Sequence, residues 1–293
     1  MSTDTLHTHC IKCGSEGIAP MERYTENHLT SCKSCGFVFC AMIPCDKTLE
    51  DYYENNYNRT NYFSPITRAR YNQLLDHFEV YRDTNRILDI GCGHGFFLEV
   101  AKERGWEVYG TELSDAAIAD CESKGIQMHK GKINDSFFNS DSFDVVVSIE
   151  MIEHINYPIE YVTQIHRILR TGGFCYITTP NFNSLLRYYL KDKYDVIEYP
   201  NHLCYYTKKT IGSLFSAHGL TPHTIRTTGI SLTRLRTSKG GSNQEYVSET
   251  SDDEMMRYKI EGNGFLRFGK NLINGMLNLF KVGDSLKATF IKN

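Results

Sequence analysis

Ile87-Leu88-Asp89-Ile90-Gly91-Cys92-Gly93-His94-Gly95-Phe96 is the stretch from which the fold can be read. An apolar strand, Arg86–Ile90, runs into three glycines at alternate positions, and an apolar helical segment, Phe96 to Arg104, follows. Glycines let the backbone turn sharply and let a ligand approach it, while the helix N-terminus offers N–H donors. Glu112 stands directly after a second strand, Trp106–Thr111, and 23 positions beyond Asp89. A carboxylate there can accept both hydroxyls of a ribose.

The same strand–turn–helix alternation continues outward. Asp115–Ser123 reads as a helix, Ile126–Lys130 as a short strand, and Phe143–Ile149 as a buried strand. Pro158–Leu169 reads as a helix stopped by Gly172-Gly173, and Phe174–Thr179 as the strand that Pro180 ends. A helix from Thr207 to about His218, a strand from Leu220 towards Thr228, and a last strand Ser285–Lys292 complete the series. Alternation of this kind predicts an α/β fold, a doubly wound, seven-stranded, mostly parallel sheet. Between the last two strands, 232–282 is polar and Ser/Gly-rich at first and amphipathic over Phe265–Phe280, which predicts a mobile loop and a helix. Ahead of the sheet, 46–85 carries Leu49, Tyr52, Tyr53 and Tyr57, then Leu74, Leu75, Phe78 and Tyr81, at helical spacing.

The glycine spacing here is GxGxG, with an acid just before it, whereas dinucleotide folds usually carry GxGxxG. In these residues the chain resembles the Rossmann-like S-adenosylmethionine-dependent methyltransferases. The resemblance implies that Asp89, Gly91 and Gly93 line the methionine end of the cofactor and that Glu112 binds its ribose. It also implies that Leu113 touches adenine, with Ile133 or Asn134 near the same ring.

Cys10-Ile-Lys-Cys13-Gly14 and Cys32-Lys-Ser-Cys35-Gly36 are near copies separated by eighteen residues. Two such turns present four thiolates tetrahedrally, as structural zinc prefers, and leave no open position for catalysis. Cys40 and Cys45 read as packing cysteines. The expected organisation is a zinc ribbon at 1–45, a helical cover at 46–85, and the methyltransferase domain at 86–293 with its insertion. Residues 1–50 hold four basic side chains against six acidic ones, the wrong balance for a phosphate-binding face. The polar stretch Met1–His9 lacks the apolar core of a secretory signal and no window is apolar enough for a membrane span, so cytoplasmic residence is the expectation. Oligomeric state is not legible.

The candidate reaction centre follows the fourth strand. Glu150, Glu153 and His154 fall within five residues, a set suited to a divalent cation such as Mg²⁺. Glu-x-x-Glu-His resembles the motif of ubiquinone-pathway O-methyltransferases and of small-RNA 2′-O-methyltransferases, in which a later His completes the site. Here Asn201-His202-Leu203-Cys204-Tyr205-Tyr206-Thr207 supplies His202. That segment, with the Cys pairs, is also similar to bacterial sugar methyltransferases across nearly the whole chain, and in that reading His202 is a metal-free general base. Glu153, His154 and His202 are therefore the candidate catalytic residues, with Glu150 a fourth possible ligand. Tyr188, Tyr189, Tyr194 and Tyr199 read either as a substrate lid or as the packing face of an insertion. The expected activity is O-methylation of a sugar or other hydroxyl-bearing metabolite. The rivals are an RNA 2′-O-methyltransferase, favoured by any basic surface at 254–281, and a non-catalytic adaptor.

Overall fold

The computed structural model describes residues 4–45, 47–49, 52, 62–134, 136–231, 234–235 and 252–293. The N-terminal segment contains short strands β1 (Thr5–Leu6), β2 (Ile18–Pro20), β3 (Leu29–Cys32), β4 (Val38–Cys40) and β5 (Met42–Ile43). Helix α1 (Pro65–Phe78) follows, with Ser64 accepting from Thr67 N at its start. The expected helical run through Tyr53 and Tyr57 lies outside the described residues.

The main body then alternates strand and helix except between β8 and β9, which follow one another directly. Its elements are β6 (Arg86–Ile90), α2 (Phe96–Glu103), β7 (Glu107–Glu112), α3 (Asp115–Ser123), β8 (Gln127–Lys130), β9 (Phe143–Ile149), α4 (Pro158–Ile168) and β10 (Leu169–Pro180). After them come α5 (Leu185–Leu190), β11 (Cys204–Tyr205), α6 (Lys208–Ser216), β12 (Leu220–Thr228), α7 (Asp252–Gly262), α8 (Gly264–Phe280) and β13 (Ser285–Lys292). Seven strands form one sheet in the order β12-β13-β10-β9-β6-β7-β8. The pairings from β10 to β8 are parallel, and β13 is antiparallel to both its neighbours. This is the doubly wound, mostly parallel sheet that the sequence predicts. β6 and β9 lie at its centre, which is why Ile87, Leu88 and Val145 to Val147 are apolar on successive residues and fully buried: both faces are covered by helices.

Three local expectations shift. The helix before β10 ends at Ile168, and the strand starts at once with Leu169, which pairs with Phe143. Gly172 and Gly173 do not stop a helix; they carry a register shift inside the strand, with Gly172 at φ +74°. Beyond β12 the described residues hold Asp252–Gly262 as a further helix ahead of the expected one. Of the mobile loop expected in the polar stretch Thr237–Asp253, residues 237–251 lie outside the described residues, and Asp252 and Asp253 begin the helix. The third shift is β11, read from sequence as a functional segment. It is a strand, and it pairs antiparallel with β4 to complete a four-stranded sheet, β11-β4-β3-β2.

That pairing joins the Cys-rich segment to the main body. Cys10, Cys32, Phe37 and Phe39 belong to the same buried cluster as Ile152, Tyr161, Cys204 and Tyr206. A segment of some forty residues cannot bury enough apolar surface alone, and here it shares the core of its neighbour.

Candidate active site

The carboxyl ends of β6, β7, β9 and β10 meet at one edge of the sheet, the edge at which open α/β folds bind ligands. At the end of β6 the N–H groups of Gly91 and Cys92 both donate to Thr111 O, at 2.9 and 3.2 Å, which folds the loop against β7. Gly91, Gly93 and Gly95 all have positive φ, at +73°, +54° and +69°. At Gly91 a Cβ would also meet Met151 Sδ at 2.7 Å, so glycine is required there twice over. Asp89 is buried just beneath this turn.

Glu112 closes the loop from the side. One carboxylate oxygen accepts from Gly93 N at 3.0 Å and the other from Leu113 N at 2.7 Å. Ser114 N adds a longer bond to the same oxygen as Leu113 N, at 3.4 Å, so the carboxylate's orientation is held while the oxygen facing Gly93 N keeps acceptor capacity for a hydroxyl. Leu113 beside it is 51% exposed, an apolar side chain left in the open where a flat apolar ring is expected to lie. Ile133 is buried in the core, and Asn134 is exposed and accepts from Ser136 N in its own turn. The residues thus fit a nucleoside with an amino-acid tail.

Past β9 the chain makes a strained exit. Glu150 has φ +51°, a region that side chains with a Cβ avoid, and its N–H is held by Thr178 O at 3.0 Å. Glu153, His154 and His202 then converge, with one ligand atom from each within 4.8 Å of the others. Glu150 does not join them, so the expected four-residue metal set contracts to three among the described residues. His154 Nδ1 lies 2.7 Å from Asn201 O and His202 Nδ1 lies 2.6 Å from Val196 O. Those carbonyls accept from N–H, which makes Nε2 the basic nitrogen of each ring, the orientation typical of imidazoles that ligate metal.

The electrostatics fit a cation. Burial, reinforced by the nearby Glu150 carboxylate, pushes Glu153 well above the usual carboxylate range. Its Oε2 has no hydrogen-bond partner among the described residues, an arrangement that is costly unless something positive completes it. Burial holds His202 down at about 4, so that ring is neutral. A cavity of about 10 Å³, room for a single water or ion, is lined by Glu153, Asn181, Tyr194 and His202 among others. Two imidazoles and one carboxylate suit Mn²⁺ or another first-row cation better than Mg²⁺, which prefers oxygen alone.

Sequence reasoning missed two cations. Arg234, in the polar segment after β12, lowers His202 and opposes the rise of Glu150 and Glu153. Lys287, on β13, acts on Glu150 in the same sense, and burial lowers its own pKa. Neither lies in a motif; only the antiparallel return of β13 beside β10 brings Lys287 there. The four tyrosines divide. Tyr194 is buried with Tyr24 and Phe182, and the Tyr199 hydroxyl donates to Asp4 at 2.7 Å, so these two pack the Cys-rich segment. Tyr188 and Tyr189 are exposed.

The Cys cluster is regular. Cys10 and Cys35 Sγ lie 3.7 Å apart, and Cys13 and Cys32 Sγ 3.6 Å apart, with all four within 4.8 Å. Four sulfurs about 2.3 Å from a central zinc would be separated by about 3.8 Å. Gly14 and Gly36, at φ +70° and +72°, make equivalent turns after the two pairs.

With this geometry in place, comparison with known proteins is informative. A family model described as a methyltransferase domain matches residues 60–225, more than half of the chain. Ubiquinone biosynthesis O-methyltransferase from Pseudomonas aeruginosa is 30% identical over 105 residues, which are 33% of this chain and 45% of that protein. The enzyme of the same name from Alkalilimnicola ehrlichii is 33% identical over 105 residues, 33% and 42% of the two chains. The match thus spans less than half the length of these curated relatives. A crystal structure of a SAM dependent methyltransferase from Archaeoglobus fulgidus superposes with a TM-score of 0.54 at 20% identity, covering 83% of this chain and 99% of that one. A protein from Pyrococcus horikoshii gives a TM-score of 0.52 at 16% identity, covering 83% and 99%. At such identities the two structures establish the fold alone.

Proposed function

The chain belongs to the methyltransferase domain family, and from that premise we propose that it transfers the methyl group of S-adenosylmethionine to a hydroxyl oxygen of a sugar or similar metabolite. The observation that carries the choice of oxygen is the convergence of Glu153, His154 and His202 at the sheet edge next to the glycine turn. A hydroxyl is a poor nucleophile until its proton is removed, and this trio is built to hold a proton acceptor or a cation there. The relatives named as O-methyltransferases support the same choice.

When bound, S-adenosylmethionine supplies an electrophilic methyl on a sulfonium sulfur. Asp89, Gly91 and Gly93 receive its methionine end, Glu112 its ribose, and Leu113 with the Ile133–Asn134 turn its adenine. His202 Nε2 would accept the proton of the acceptor hydroxyl as that oxygen bonds the methyl carbon and the methyl–sulfur bond breaks, its electron pair staying on the departing thioether. Glu153, His154 and His202 would alternatively hold a divalent cation, which would supply Lewis acidity toward that hydroxyl. Four cysteine thiolates hold zinc as a folding element.

The sugar reading rests on the His202 segment and the Cys pairs together. An RNA acceptor has weaker support, because the face that α8 exposes is apolar rather than basic. The test is methyl transfer from labelled cofactor into fractionated extract, with and without ribonuclease. Label in a ribonuclease-resistant glycan or sugar-nucleotide fraction is expected. Label abolished by ribonuclease would overturn the acceptor class, and absence of both label and S-adenosylhomocysteine binding would leave the adaptor.

A further inference from the structure

The antiparallel register of β12 on β13 sets Arg226 directly opposite Lys287, and that of β13 on β10 sets Lys287 opposite Thr178. Directly paired residues project to the same face of a sheet, so two cations stand side by side there, where like charges repel. Neither forms a hydrogen bond or ion pair among the described residues. Thr178 O accepts from Glu150 N at 3.0 Å, so the pair lies beside the exit of β9, at the edge that carries the glycine turn.

Two helices bring further positive charge. Arg70 of α1 and Lys270 of α8 both reach one oxygen, Glu261 Oε1 of α7, at 3.2 and 2.6 Å. Burial, then Arg70 and Lys270, lower the Lys287 pKa, and Glu150 opposes them. Four cations from four elements thus gather round two carboxylates, Glu150 and Glu261, and Glu150 is shared with Arg234 as well. The other acids of α7 do not offset them. Glu254 is buried, bonded to Ser64 and 3.7 Å from Arg257. Asp252 and Asp253 open the helix more than two turns, about 12 Å, before Glu261.

Two positive charges are left without a counter-charge. A phosphate monoester carries close to two negative charges near neutrality and offers oxygens to several donors at once. A single carboxylate would leave half of the surplus in place. A nucleic-acid strand carries one charge per link and needs cations spaced along a track, whereas these converge. We propose that Arg70, Arg226, Lys270 and Lys287 seat a phosphate group carried by the methyl acceptor. The inference rests on the transfer reading above and adds the acceptor's class, a sugar phosphate or another phosphorylated hydroxyl compound.

Calorimetry of the full chain loaded with S-adenosylhomocysteine tests the site, with inorganic phosphate and glucose 1-phosphate as probes. Both are expected to bind at least about tenfold more tightly than glucose, or than chloride at matched ionic strength. Lys287→Met with Arg226→Met is expected to weaken phosphate at least about tenfold while S-adenosylhomocysteine affinity and melting temperature hold. Lys270→Met, on a helix that buries only Leu277, is expected to act in the same direction and serves if the sheet pair does not fold. No phosphate binding by the native chain, or equal binding by the variants, would overturn the proposal.

The acceptor is read separately. Product labelled from the cofactor in cell extract is expected to be retained on an anion exchanger and to lose that retention after pyrophosphatase and phosphatase. Partition into chloroform–methanol would mark a lipid-linked phosphate, and the aqueous phase a soluble one. A labelled product that is neutral from the start would overturn the proposal and spare the transfer reading. Phosphate binding by a chain that transfers no methyl would keep the anion site and remove the transfer reading.

Discussion

Cys40 and His202, 162 positions apart in the chain, are in contact: the Cys40 thiol donates to the His202 carbonyl at 3.4 Å. The Cys40 N–H donates to the next carbonyl, Leu203 O, at 2.8 Å. The Cys-rich sheet is thereby the wall against which the His202 loop is built. Asn27 extends the wall by accepting from Tyr199 N at 3.1 Å.

Disrupting the ribbon is therefore expected to reach the chemistry. Cys32→Ser should release about one zinc per chain and lower kcat at least about tenfold, because β4 no longer holds β11 and the His202 backbone in register. S-adenosylhomocysteine affinity, set by the Gly91–Gly93 turn and Glu112 on β6 and β7, which do not pair with the Cys-rich sheet, should change less than about twofold. Zinc analysis, steady-state kinetics and calorimetry check the three parts; unchanged kcat after zinc loss would show that the wall is dispensable.

Glu112→Ala removes the acceptor for the ribose hydroxyls and also the bond from Gly93 N that steadies the glycine turn. A charge-assisted hydrogen bond is worth about 1.5–3 kcal/mol, so S-adenosylhomocysteine should bind at least about tenfold more weakly by calorimetry. Equal affinity would remove Glu112 from the cofactor site.

Stability against acid should depend on Asp144, whose side chain is fully buried. Burial alone would raise its pKa, but Arg170 Nε at 2.6 Å and the N–H groups of Asp83 and Thr84, both at 3.0 Å, outweigh it and leave the carboxyl below its ordinary 3.8. A depressed carboxyl stabilises the fold fully above its unfolded pKa and loses that contribution as pH falls through the lower, folded value. Asp144→Asn should therefore cost about 3 kcal/mol near neutrality, the usual cost of stripping one partner from a buried pair. It should also flatten the acid limb of melting temperature against pH. A variant that melts like the native chain at pH 7 would contradict this.

The sheet was legible because each strand carries its own signal. The run Val145-Val146-Val147 is apolar on consecutive residues because β9 is covered on both faces, and the glycine turn announces the edge where ligands bind. The site was legible only as far as local motifs reach. Glu150, Glu153 and His154 sit within five residues and look like one ligand set, yet the left-handed backbone at Glu150 takes it out of the trio. Arg234 and Lys287 come from segments with no motif, placed by tertiary packing alone. The β4–β11 pairing was hidden because two residues, Cys204 and Tyr205, are too short for a strand period to show.

The last prediction separates the two chemistries proposed for the trio. If a cation sits between Glu153, His154 and His202, activity should vanish in chelator and return with Mn²⁺ more fully than with Mg²⁺, because two of the three donors are imidazole nitrogens. Glu153→Gln keeps the side-chain volume but weakens the only anionic ligand, so it should lower Mn²⁺ affinity at least about tenfold by calorimetry and abolish turnover. Glu150→Ala should leave Mn²⁺ binding in place, since Glu150 stands outside the trio. Its loss should instead show in KM, because the carboxylate faces Arg234 and Lys287 at the rim. His202→Ala stops turnover under either account and decides nothing alone. Full activity in chelator, together with an active Glu153→Gln enzyme, would rule out the cation and leave His202 as a metal-free base.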